Sequence, residues 1–280
     1  MAKRRALLIG VNSYRIPGAD LRGCINDVDN IRAMLLRWFD FPRSGIRTLT
    51  DGRATQSRVK AAIGKIVDSA RRGDVVLIHF SGHGSNIPDT DGDEADERDE
   101  ILCPHDLDWK ADEQLSDDWL RGALDAVADG VNLTVNFDCC HSGTGTRPIP
   151  RPGEPIARFL ANPLDLLAAE SGRPLRGEVH RVRRQRSRDS GGGDVHDVEI
   201  PEVLLTGSRD DQTSADAFID GDYHGAMTYS MWTTVDRAKG DLTYRQLHER
   251  MTDYLQDSYS QVPQLEGRAA RLDMPVLQPL

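Results

Sequence analysis

Three nearly continuous apolar runs constrain this chain more than any other feature. Ala6-Leu7-Leu8-Ile9-Gly10-Val11, Val75-Val76-Leu77-Ile78-His79-Phe80 and Val131-Asn132-Leu133-Thr134-Val135-Asn136-Phe137 read as strands buried on both faces. Helical periodicity fills the gaps. Ile31, Met34, Leu35 and Phe39 share one face of a helix near 25–39, and Val59, Ile63 and Ile66 mark another over 55–72. Short strands fall near 46–50 and 100–104, and a helix near 117–128. Strands that alternate with amphipathic helices predict an α/β fold with a mostly parallel sheet covered on both sides. The pattern resumes at Val203-Leu204-Leu205-Thr206-Gly207, with helices near 225–237 and 243–257. Thr243 and Gln246 have the spacing of a capping box for the last of these.

Composition narrows the function classes. A chain of 280 residues can bury a large core, as one domain or as two halves sharing a sheet. Its 29% charged residues and net charge of -10 argue for solubility and against a general nucleic-acid binder. No apolar run approaches the ~20 residues that span a bilayer, so no membrane partner is expected. The basic start, Lys3-Arg4-Arg5 before 6–11, imitates a signal peptide, but its apolar stretch is short and lacks a small-residue cleavage site. Four cysteines without a Cys-x-x-Cys pair, two of them adjacent, suggest a reducing, cytoplasmic setting.

The stretch 148–200 differs from what flanks it. Pro148, Pro150, Pro152 and Pro155 open it, and a helix is predicted over 156–170. The basic run 181–188 and Gly191-Gly192-Gly193 follow. This reads as an exposed linker between a part spanning 1–147 and a part spanning 201–280, both contributing to one domain.

Sites in parallel sheets gather beyond the carboxyl ends of the strands. One strand end here runs into Ser81-Gly82-His83-Gly84, and another into Asp138-Cys139-Cys140-His141-Ser142-Gly143. A thiol and an imidazole at neighbouring strand ends are the minimum equipment for cysteine acyl transfer. The backbone N–H groups of Gly84 and of the cysteine can hold an oxyanion. Adjacent strand residues face opposite ways, so one member of each pair, Cys139 or Cys140 and His79 or His83, can serve the site. Chemistry alone leaves both choices open.

His79-Phe80-Ser81-Gly82-His83-Gly84 and Asp138-Cys139-Cys140-His141-Ser142-Gly143 resemble the two catalytic blocks of metacaspases, within the caspase-like cysteine peptidases. Gly23-Cys24-Ile25-Asn26-Asp27-Val28, the stretch 206–217, Gly225-Ala226-Met227-Thr228-Tyr229 and Pro263-Gln264-Leu265 resemble further blocks, in family order. His83 also precedes Cys140 by a span close to the roughly 50 residues of caspase-type enzymes. The resemblance implies a three-layer αβα sandwich whose large and small parts share one sheet. It implies a cysteine endopeptidase with Cys140 as nucleophile, His83 as base and Gly84 N–H in the oxyanion site. It implies cleavage after Arg or Lys, with Asp27, Asp138, Cys24 and Ser81 lining the primary pocket. A guanidinium in a cleft needs carboxylates, which agrees. The expected partners are protein or peptide substrates with Arg or Lys before the cut bond, and an upstream activating protease; the expected state is a monomer. The contrasting class is a non-catalytic regulator of the same fold. Such proteins usually lose the nucleophile or the base, and both are present.

Many metacaspases require calcium. The resemblance implies Asp99, Asp117 and Asp118 as its ligands here, although Arg147 stands near the place where a further acidic ligand is usual. The acidic run 89–100 is not an EF-hand: the turn glycine is displaced to Gly92, and flanking helices are missing. Asp117 and Asp118 also suit the first turn of a helix capped by Ser116. Cys103, His105, Cys139, Cys140 and His141 lack the spacing of a zinc site, and no organic cofactor is expected. Finally, an enzyme that cuts after Arg carries candidate self-processing sites in its own linker, at Arg181, Arg183, Arg184, Arg186 and Arg188.

Overall fold

The buried runs form the centre of a seven-stranded sheet. In the computed structural model, which describes residues 2–89, 98–109, 114–140, 154–170, 194–209 and 212–280, the strands are β1 (Arg4–Gly10), β2 (Ile46–Thr50), β3 (Val75–Ser81), β7 (Asn132–Asp138), β9 (Val195–Asp197), β10 (Glu202–Thr206) and β13 (Gln264–Gly267). Their order is β2-β1-β3-β7-β10-β13-β9. All adjacent pairs are parallel except β10 with β13.

The pleat sorts side chains between two cores. Leu7, Ile9, Val76, Ile78, Leu133 and Val135 pack towards α2 (Gln56–Ser69) and α3 (Asp117–Asp125). Ala6, Leu8, Val75, Leu77, Val203 and Leu205 pack towards α1 (Cys24–Trp38), α5 (Ala226–Ala238) and α6 (Tyr244–Gln256). The result is the αβα sandwich that the resemblance implies. Both expected caps are present: Ser116 Oγ accepts the Trp119 N–H, and Thr243 with Gln246 completes a capping box.

Two small antiparallel sheets flank the carboxyl ends of the main strands. One joins β4 (Gly84–Pro88), β5 (Arg98–Leu102) and β6 (Leu115–Ser116). The other joins β8 (Ile156–Ala157), β11 (Ala215–Ile219) and β12 (Asp222–Gly225). These short pairings carry no strong period in the sequence.

The described part of the linker departs from expectation. Residues 156–160 are not helical, with a strand at Ile156–Ala157 and a single bridge at Phe159, and helix begins only at α4 (Pro163–Glu170). Nor is this part uniformly exposed, because the Arg158 side chain is completely buried. Tertiary pairing explains both. Ala157 and Ile156 pair with Ala215 and Asp216, and Phe159 forms a bridge with Gly84, so neighbouring backbone outbids local helix. Arg181, Arg183, Arg184, Arg186 and Arg188 lie outside the described residues, as do His141, Ser142, Gly143 and Arg147.

Candidate active site

Strand parity sets up the site. Along β7, Leu133, Val135, Phe137 and then Cys139 turn to the α2 side, where Cys139 is packed in the core. Asp138 turns the other way, towards α5, and Cys140 lies just past the strand end. Register places Ser81, the last residue of β3, beside Asp138. Two residues on, His83 begins the turn into β4.

His83 is held by three contacts. Its backbone N–H donates to the Tyr14 hydroxyl oxygen at 2.8 Å, and the two rings lie 5.0 Å apart. Its Nε2 sits 2.8 Å from the Ala19 carbonyl oxygen, which accepts only if Nε2 carries the proton. Nδ1 therefore keeps its lone pair, and has no hydrogen-bond partner among the described residues. Burial pushes the imidazole down to about 4, the Ala19 contact acting against it. The Cys140 thiol is nearly as enclosed. Burial pushes it up to about 12, and the Ser214 backbone opposes the rise. Its Sγ accepts the Ser214 N–H at 2.6 Å.

What encloses both groups is the chain itself. The Arg158 carbonyl oxygen accepts the Gly84 N–H at 3.0 Å and the Cys140 N–H at 3.1 Å. These are the two donors expected to hold an oxyanion. The Arg158 N–H donates to Ser214 O at 3.0 Å.

The guanidinium enters a cage of acidic groups. Nη2 lies 2.8 Å from Asp27 Oδ2 and 3.0 Å from Asp216 Oδ1. Nη1 lies 2.8 Å from Ser81 Oγ and 3.3 Å from Asp138 Oδ2. Every charged member is fully buried. Each carboxylate is in turn oriented. Asp27 accepts the Ser81 hydroxyl and the Gly225 N–H, Asp138 Oδ2 accepts the Thr228 N–H and hydroxyl, and Asp216 accepts the Arg22 and Gly23 N–H groups. Burial pushes Asp27 up to about 7 against the pull of Arg158. For Arg158 burial works the other way, and Asp138, Asp27 and Asp216 outweigh it, so the guanidinium stays charged. The cage thus holds one planar, hydrogen-bonding cation among three carboxylates.

The structure thus brings together Cys140, His83, Gly84, Asp27, Asp138 and Ser81. Cys24 is buried at the start of α1, where burial raises its thiol above the ordinary range and Arg158 and Ser81 oppose. Sequence reasoning missed Asp216, Ser214 and Arg158. Asp216 lies inside the 206–217 block that carries part of the resemblance, which was its available signal.

The acidic residues assigned to calcium lie elsewhere. The pairing of Ile101 with Ser116 carries Asp99, two residues before Ile101, to the start of α3, where Asp117 and Asp118 stand. Oxygen donors suit calcium. Among the described residues, no three metal-ligating side chains converge.

The profile of the family described as metacaspase, peptidase C14 domain, matches residues 4–147. Metacaspase-1 of Pyricularia oryzae is 35% identical over 94% of this chain and 71% of its own length. Metacaspase-1B of Aspergillus oryzae is 34% identical, over 94% and 67%. Among solved structures, protein GSU0716 from Geobacter sulfurreducens superposes with a TM-score of 0.67 at 26% identity, covering 99% of both chains. Caspase-1 from Spodoptera frugiperda, at 12% identity and TM-score 0.55, covers 95% of this chain and 90% of its own, and shows the shared fold.

Proposed function

Because this chain belongs to the metacaspase family of C14 peptidases and is a cysteine-type endopeptidase, we propose that it cleaves peptide bonds after arginine, and after lysine less well, with Cys140 and His83 as its catalytic pair. One observation carries the reading: an arginine already sits with its guanidinium among Asp27, Asp138 and Asp216 and its carbonyl oxygen between Gly84 N and Cys140 N. Arginine can meet the carboxylates in two directions at once, whereas lysine offers a point charge.

The chemistry follows from the same contacts. The Cys140 thiol turns from Ser214, gives its proton to His83 Nδ1, and Sγ attacks the carbonyl carbon. Negative charge gathers on the oxygen held by the two N–H groups. The Ala19 carbonyl keeps Nε2–H in place and fixes the tautomer. The C–N bond breaks as His83 protonates the leaving amine. Water, deprotonated by His83, then releases the acid and restores the thiol.

Short fluorogenic peptides ending in Arg, Lys, Asp or Asn test the reading. Arg should lead Lys, and Asp and Asn should be inert; equal rates on all four refute the pocket. Running the panel with calcium and with chelator tests calcium as activator through Asp99, Asp117 and Asp118. No step above passes through a metal. The four cysteines are free and buried, in keeping with a reducing, cytoplasmic compartment, which we propose as well.

A further inference from the structure

We propose that the Arg158–Phe159 bond is the chain's own processing site, and that residues 156–160 plug the cleft until that bond is cut. This rests on the reading of Cys140 and His83 given above and adds the regulation of the same site.

The segment is bound as a substrate would be, on both sides of the bond. Upstream, Ile156 and Ala157 add an antiparallel strand to β11, and the Arg158 N–H continues that pairing to Ser214 O. At the bond, the carbonyl oxygen lies between two N–H donors, and the side chain fills the acidic cage. Downstream, the Leu160 N–H donates to Gly84 O at 2.9 Å, Ser85 Oγ donates to Leu160 O at 2.5 Å, and Asn162 Nδ2 donates to Asn86 O. A peptide product would hold one of these sets. Holding both defines an uncut substrate analogue.

The plug also explains two features at odds with a working enzyme. Cys140 and His83 are shut away from water, and the thiol is drawn to the Ser214 N–H. The chain rests in a closed form, and for cleavage the thiol turns from Ser214 to the Arg158 carbonyl carbon. Its sulfur bonds to the Arg158 carbonyl carbon, and its proton passes through His83 to the Phe159 nitrogen as the C–N bond breaks. Water then hydrolyses the thioester, leaving an Arg158 carboxylate, a Phe159 amine and a free thiol. After the cut, the upstream side keeps only the short β8 pairing and the arginine. The downstream side leads into α4, whose Leu164 and Leu167 are largely exposed and add little burial to hold it.

The test uses the full chain, a Cys140→Ala control, Arg158→Gln and Arg158→Lys. Each is incubated with calcium chloride and followed by intact mass, amino-terminal sequencing and hydrolysis of a short peptide ending in Arg. The expected result is a new amino terminus at Phe159 in wild type, a slower one in Arg158→Lys, and none in Cys140→Ala or Arg158→Gln. Wild-type peptide hydrolysis should show a lag that matches the cut, and Arg158→Gln, whose plug lacks its anchor, should show none. Full peptide hydrolysis with Arg158–Phe159 intact overturns the proposal and leaves the proposed function standing, as does activation by cuts confined to 181–188. Absence of both self-cleavage and basic-peptide hydrolysis in every variant refutes the proposed function itself.

Discussion

Asp138 and Cys139 are neighbours that serve opposite faces of one strand, and Cys140 serves neither. Each choice has a measurable consequence. Cys140→Ala should lower kcat/KM by at least about a thousandfold. Cys139→Ala should leave it within a few-fold while costing about 1 kcal/mol in denaturant unfolding, since it empties part of a core. Loss of activity in Cys139→Ala with Cys140→Ala unaffected would reverse the assignment. Asp216→Ala removes a buried partner of the guanidinium, worth about 2–5 kcal/mol in comparable pairs. Arg-peptide kcat/KM should therefore fall by about thirtyfold or more, measured on the cut enzyme. His79 gives a different signal. It is fully buried, with neither ring nitrogen bonded among the described residues, and burial pushes it down to about 4. Its folded value lies below the unfolded one, so between them the unfolded chain binds more protons. That part of stability is intact above about pH 6.5 and falls as pH drops towards 4. His79→Phe should remove about 2 kcal/mol of the loss between pH 7 and 5, read from urea unfolding at both values. An unchanged slope would exclude the neutral buried imidazole.

At the scale of elements, what could be read in advance depended on how local the cause was. β1, β3, β7, α1 and α2 announced themselves by period, and the thiol and imidazole followed because they end those strands. The segment 156–160 could not be read so. Its apolar residues fit a helix, and only β11 and Gly84, far along the chain, make it a strand. Asp216 was obscure for the same reason, since it reaches the cage only through the register of β11 against β12 and the N–H groups of Arg22 and Gly23. Gly225, where β12 meets α5, shows how closely elements approach here. A Cβ there would collide with Asp138 Oδ2 and Arg158 Nη1. Gly225→Ala should thus raise KM for Arg peptides more than it lowers kcat, with secondary structure unchanged by circular dichroism. A loss confined to kcat would argue against a crowded pocket.

Across the whole molecule, a cut at 158 would separate the chain into pieces joined at the middle of one sheet. β7 and β10 pair in parallel from Leu133–Glu202 to Phe137–Thr206, and Arg121 bonds Glu202 across the same seam. The core on the α1, α5 and α6 side draws buried residues from both sides of the cut, and Leu160 and Leu204 from beyond it pack against the other core. The pieces should co-elute in gel filtration and part only in denaturant; parting in native buffer would contradict the shared sheet. The three carboxylates come from both pieces, and once the new carboxyl end withdraws Arg158 they would face one another around an uncompensated hollow. Like charges so confined either take up a proton or wait for a cation. Binding a small guanidine there would relieve that repulsion and favour the native state over the unfolded chain. Millimolar benzamidine or agmatine should therefore raise Tm of the cut enzyme and leave the uncut chain unmoved, making heat resistance itself a gauge of whether the hollow is vacant.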